Sequence, residues 1–149
     1  MYQPGRPPIP YLLAYAGTLA VGRADQALRP HGLSVRQFGL LAQLHLEPEL
    51  TMSELARQLG VSRQALYDMV GELERAGHLR RLPGASGRTR KLALAPGTDR
   101  LLARAQRALA ETEAHLVAGL NPRATEALRG LLQHLLAQAT DDETWLSSF

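Results

Sequence analysis

The sequence predicts a mainly α-helical protein carrying one small β-hairpin. Three observations lead there. Apolar residues recur at helical spacing along successive segments. Helix-start signals repeat: two Ser/Thr-x-x-Gln/Glu boxes and an Asn-Pro pair. One stretch, from HLRRL to RKLALA, switches to alternation around a loop rich in turn residues.

Residues 1–10 carry four prolines and read as an irregular arm. From Ile9 onward apolar residues fall at 9, 12, 13, 16, 19, 20, 24, 27 and 28, a broad helical stripe. RPHG at 29–32 stops it. Ser34 and Gln37 then form a capping box, with Leu33 and Phe38 as a hydrophobic staple around it. That helix runs through FGLLAQLHL to Pro48. The device repeats at Thr51 and Glu54, stapled by Leu50 and Leu55, so TMSELARQL is a short helix. Gly60 ends it, and Ser62 caps a further helix that runs to Gly77. HLRRL and RKLALA then read as a two-stranded hairpin with PGASGRT as its basic tip, with a plain loop as the alternative because the alternation is brief. A long helix is expected from about Thr98 to Leu120, with Leu101, Leu102, Ala105, Leu109, Thr112, Leu116 and Leu120 inward. Asn121 and Pro122 then supply the N-cap and first residue of a last helix. Its apolar face holds Ala124, Leu128, Leu131, Leu132, Leu135, Leu136 and Ala139.

The terminal helices are more apolar than a small middle domain can cover. They are therefore expected to pack on a second copy of the chain, with packing of the first helix on the last as the intrachain alternative. The expected division is 1–32 as arm and dimerisation helix, 33–96 as the central domain, and 97–149 as further dimerisation helices.

Composition narrows the function. At 149 residues the chain can bury a real core. Net charge is only +3, but its distribution is uneven. Residues 51–95 hold eight basic and four acidic side chains, and between Arg75 and Lys91 there are six basic residues and no acid. A local basic patch on a near-neutral body fits a nucleic-acid binder, or merely a solvated face. The absence of cysteine excludes disulfides and thiolate metal sites. The apolar run YLLAYAGTLAVG is too short to span a bilayer, so a cytoplasmic protein without membrane attachment is expected.

Helix, tight turn, helix and basic hairpin together make a winged helix-turn-helix domain. At GLSVRQFGLLAQL, LTMSELARQLGVSRQALYDMVGELERAGHLRRL and SGRTRKLALA the chain resembles the MarR family of bacterial transcriptional regulators. That resemblance implies a homodimer on pseudo-palindromic operator DNA. It also implies a small phenolic or otherwise lipophilic ligand that weakens DNA binding. No cofactor is expected, and no catalytic residue set stands out, so an enzyme is not expected.

The helix RQALYDMVGELER fits a major-groove reader. Leu66, Met69, Val70 and Leu73 share one face, and Gln64, Asp68, Gly71 and Arg75 the opposite pole, with Tyr67 on a flank. Ser62, Arg63 and the helix N-terminus suit phosphate oxygens, and Gln64 suits adenine. For Arg63 and Arg75 the plain alternative is ordinary surface charge. In the wing, Arg88 matches the family's wing arginine, which resembles a minor-groove element. The family's bracing aspartate two residues earlier is Ser86 here. Arg90 and Lys91 either meet phosphates or solvate the strand. Family members commonly show Thr then Arg where this chain has Tyr67 and Asp68. Asp68 would repel phosphates, but facing bases it could accept from a cytosine amino group. Its silent alternative is an ion pair with an arginine such as Arg57.

Ligand candidates are Tyr11, Tyr15, Leu41, His45 and Leu116, polar tips and apolar neighbours on the helices where family pockets lie. Their alternative is an ordinary core and interface role. Glu111 and His115, four apart, are a weak metal pair. The rival to a DNA-binding regulator is a winged-helix module that binds protein, favoured by Ser86, Tyr67 and Asp68.

Overall fold

The computed structural model describes residues 1–83 and 90–141, with the backbone alone at Arg90, Thr140 and Asp141. The order is α1 (Ile9–Leu28), a 3-10 turn (Arg29–His31), α2 (Val35–Leu46), α3 (Met52–Leu59), α4 (Arg63–Arg75), β1 (Leu79–Pro83), β2 (Arg90–Leu94), α5 (Thr98–Leu116) and α6 (Pro122–Asp141). The fold is mainly helical with a two-stranded antiparallel hairpin, as the sequence predicts.

Helix boundaries follow the local chemistry. α1 ends through the 3-10 turn, with the Leu33 N–H donating to the Leu28 carbonyl at 3.3 Å. The reciprocal capping box at α2 is complete: the Gln37 N–H donates to Ser34 Oγ at 3.1 Å, and the Ser34 N–H donates to Gln37 Oε1 at 3.0 Å. At α3 only half of the expected box forms. The Glu54 N–H donates to Thr51 Oγ1 at 3.2 Å, while the return bond from the Glu54 side chain is missing. Between α3 and α4 the chain turns on Gly60, whose φ of 64° is left-handed, where a side chain would be strained. The Val61 N–H closes the turn on the Ala56 carbonyl at 3.1 Å. Ser62 Oγ then accepts from the Ala65 N–H at 3.1 Å and starts α4.

One core unites these elements. Leu28, Leu40, Leu41, Leu55, Leu66, Val70 and Leu73 are essentially sealed from solvent, and Leu79, Leu92, Leu101, Leu102 and Ala105 close the same cluster. The hairpin register pairs Leu79 with Leu94 and Arg81 with Leu92. The base of the hairpin is tied to α5 through the His78 carbonyl, which accepts from the Ala95 N–H at 2.9 Å and the buried Thr98 hydroxyl at 3.2 Å.

α5 stops at Leu116, one turn short of the expected Leu120. Residues 117–120 form a turn that redirects the chain into α6. There Asn121 Oδ1 accepts from the Ala124 N–H at 2.8 Å, as the Asn-Pro signal predicts. The inward assignment of Leu116 and Leu120 fails within one chain, since both are exposed. The expected apolar stripes of α1 and α6 are present but uncovered. Ile9, Leu12 and Leu19 of α1, and Leu128, Leu131, Leu132, Leu135 and Leu136 of α6, all remain exposed. α1 packs on α5 and α2 along its C-terminal part, where Ala24 and Leu28 are buried. α6 is joined to α5 by Arg129, which pairs with Glu113 at 2.7 Å. The hydrogen bond to Glu113 and its charge raise the Arg129 pKa above the usual arginine value. Among the described residues no helix is long and apolar enough to cross a membrane.

Candidate nucleic-acid interface

α4 divides as its periodicity requires. Leu66, Val70 and Leu73 are buried, with Met69 partly so, and Arg63, Gln64, Tyr67, Asp68 and Arg75 are exposed. Tyr67 leaves half its surface to solvent although it lies one residue from the core residue Leu66. Ser62 spends its hydroxyl on the cap but leaves the first N–H groups of α4 open at the same end as Arg63. An anionic oxygen meets a favourable partial charge there.

The outer pole is organised rather than merely polar. Gln64 Nε2 donates to Asp68 Oδ1 at 3.0 Å. Because an ionised carboxylate can only accept, this bond also fixes which end of the Gln64 amide faces Asp68. Gln64 Oε1 and the second carboxylate oxygen of Asp68 are left as outward acceptors. The alternative of an ion pair between Asp68 and an arginine is not seen: among the described residues Asp68 forms no salt bridge, and its partner is Gln64 on the same helix. One turn on, the Arg75 guanidinium folds back over Gly71, where a Cβ would stand 3.3 Å from its Nη1. Gly71 therefore gives Arg75 room to lie along the pole.

Both flanks of α4 are tethered. Glu72 Oε2 accepts from Gln37 Nε2 at 2.8 Å, across to α2. Glu74 Oε2 lies 3.3 Å from Arg81 Nε on β1. That pair is close enough for an ion pair but is not aligned as a hydrogen bond, so the buried Arg81 Nε lacks a hydrogen-bond partner. The sequence pattern does not reveal these contacts, nor that Asp25 of α1 accepts from the Val35 N–H at 2.7 Å. The only sequence signal for the first was that Gln37, unlike Glu, keeps a spare amide N–H after capping.

The wing residues Ser86 and Arg88 lie outside the described residues, as does the Arg90 side chain. Lys91 is drawn to Glu49 at 2.6 Å, bracing the hairpin against the loop before α3.

The ligand candidates do not converge within one chain. Tyr11 and Tyr15 stack on the exposed side of α1 with ring centroids 4.9 Å apart. Leu41 is instead a core residue, fully buried in the same sealed cluster as Leu40 and Leu44 of α2. His45 borders a cleft of about 350 Å³ against Leu82, Lys91 and Leu92 of the hairpin. Leu116 is exposed at the end of α5 and does not line the larger cleft of about 620 Å³ between α1 and α5, which is formed by Arg23, Gln26, Ala27, Thr112 and His115. The Glu111–His115 pair gains no third His, Asp or Glu among the described residues.

Comparison with known proteins agrees with this geometry. Residues 31–89 match the family model described as MarR family. The chain is 30% identical over 129 residues to the HTH-type transcriptional repressor Rv2887 of Mycobacterium tuberculosis, covering 86% of this chain and 93% of that protein. The structure of Rv2887 with salicylic acid superposes with a TM-score of 0.71 at 30% identity, covering 87% of this chain and 97% of that one. Its structure in complex with DNA gives 0.69 at 28% identity, covering 87% and 98%. A MarR family regulator from Rhodococcus sp. RHA1 shares the fold with a TM-score of 0.80 at 24% identity, covering 86% and 91%.

Proposed function

This chain belongs to the MarR family, and from that membership we propose that it is a sequence-specific DNA-binding transcriptional repressor. It acts as a homodimer on pseudo-palindromic duplex DNA and is released by a small lipophilic or phenolic effector. The observation that carries this reading is α4: one face sealed in the core, the opposite pole exposed and internally ordered, and open N–H groups beside Arg63. Residues 33–96 form the DNA-binding unit, and 1–32 and 97–149 supply the dimer contacts. It is a cytoplasmic binding protein rather than an enzyme.

The chemistry assigns roles. Ser62, Arg63 and the α4 N-terminus take phosphate, and Arg88 and Arg90 serve the wing. Gln64, Tyr67, Asp68 and Arg75 face the bases. The Gln64–Asp68 bond leaves mainly acceptors outward. Such a surface suits the amino groups of cytosine or adenine and opposes the O6 and N7 acceptors of guanine. Asp68 thus narrows specificity at a cost in raw affinity. Repression needs only that the bound dimer cover promoter DNA. Release needs an effector that favours a dimer whose two α4 helices no longer match one turn of the duplex. The salicylic acid complex of Rv2887 supports the effector part of this reading.

Selection of bound duplexes from a random library tests it. The expected product is an inverted repeat with cytosine or adenine enriched opposite Asp68. Asp68→Ala relaxes that position, at about 1–3 kcal/mol of discrimination. Enrichment of no sequence at all would sink the reading and leave a protein-binding winged helix in its place.

A further inference from the structure

We propose that a two-sided carboxylate clamp sets the rotation of α4 about its own axis: Glu72 held by Gln37, and Glu74 held by Arg81. This rests on the reading of α4 as the helix that contacts DNA. It assigns positioning roles to Gln37, Glu72, Glu74 and Arg81, none of which lies on the reading pole.

Two residues apart at roughly 100° per residue, Glu72 and Glu74 leave the helix about 160° apart. They therefore stand on opposite flanks of the pole formed by Gln64, Asp68, Gly71 and Arg75. The buried face of Leu66, Val70 and Leu73 sets which side of α4 meets the core, but the hydrophobic effect is non-directional and does not by itself fix the rotation to within a few degrees. The Gln37–Glu72 hydrogen bond does, because its strength falls steeply with length and angle, and the Glu74–Arg81 ion pair adds a distance restraint on the other flank. On a helix about 10–12 Å across, a rotation of about 10° moves the rim by roughly 1 Å. That is enough to lose a base contact.

The Gln37 side of the clamp is itself anchored. Gln37 Oε1 is committed to the Ser34 N–H, which fixes the amide plane and aims Nε2 at Glu72. The neighbouring Val35 N–H is held by Asp25 of α1 at 2.7 Å. A continuous set of polar contacts and backbone thus runs from α1 through the α2 N-terminus to α4. On the opposite flank the clamp is fixed to β1, at the root of the hairpin.

Gln37→Glu tests the clamp without destroying the cap. Its carboxylate still accepts from the Ser34 N–H but now faces Glu72 with like charge. The probes are a duplex selected by the unmodified protein and a random-sequence duplex of equal length. The ratio of the two affinities is expected to fall about tenfold, the scale of one charge-assisted hydrogen bond. Affinity for random DNA stays the same. Adding Glu72→Gln restores a donor–acceptor pair with reversed polarity, and with it the ratio. Glu72→Ala, which leaves the α2 cap untouched, gives the same loss as Gln37→Glu. The clamp is overturned if Glu72→Ala keeps the wild-type ratio, or if the folded double variant fails to recover it. Failure of the unmodified protein to select any duplex counts against the DNA reading instead.

Discussion

The middle of the chain and its two ends solve the problem of apolar surface in opposite ways. From α2 to β2 a block of large apolar side chains is inside: Leu40, Leu41, Leu55, Leu66, Val70 and Leu73 are sealed in a core that Leu28 of α1 and Leu101, Leu102 and Ala105 of α5 complete, while Leu46, Tyr67 and Leu82 stay exposed. Along the outer part of α1 and the whole of α6 the same residue types stand in solvent, with Leu131 still 69% exposed. A monomer seldom leaves so extensive an apolar surface uncovered. The contrast teaches that the winged unit closes its core within one chain, on the inner parts of α1 and α5, whereas the outer apolar faces of α1 and α6 are left uncovered by that chain.

This contrast can be broken by matched substitutions. The largest effect is expected from Leu66→Ala, which opens a cavity behind the reading pole and costs about 2–5 kcal/mol. Denaturant unfolding should show that loss equally in dimeric and monomeric variants of the chain. Next comes the pair Leu131→Glu and Leu135→Glu on α6. Sedimentation should show a monomer, and affinity for an inverted repeat should fall by about 100-fold as the two half-sites lose their linkage. The winged unit should nonetheless unfold as a cooperative whole. A dimer that survives both charges would erase the distinction between the two regions. Smaller still is Ser34→Ala, about 1 kcal/mol, because a reciprocal box is lost. Thr51→Ala should cost less, since only one of its two bonds forms. At the bottom is Arg129→Ala on the surface of α6, which should leave the unfolding midpoint unchanged because an exposed ion pair contributes little.

How much of this was legible beforehand divides along the same line. Short-range chemistry was readable: the Ser34–Gln37 box, the Gly60 turn, the Ser62 cap and the Asn121–Pro122 start all form as their spacing requires. The buried and exposed faces of α4 were readable from period alone. Contacts between distant residues were not. Nothing in local pattern couples Gln37 to Glu72, Asp25 to Val35, or Lys91 to Glu49. Asp68 shows the limit well. On charge alone an arginine is a natural partner for it, yet Gln64, one turn before it, wins by proximity on the same face. Leu41 shows another. Its apolar character suits a pocket and a core alike, and only the packing of α2 on its neighbours decides for the core.

The central claim is that α4 carries this protein onto DNA, and titration of salt tests it most directly. Binding of the intact dimer to a selected inverted repeat should be followed by fluorescence anisotropy across a range of salt concentrations. A steep linear fall of log affinity against log salt is predicted, as several phosphate contacts release their counterions. Arg63→Ala should flatten the slope by about one contact. Absence of DNA binding even at low salt would contradict the account.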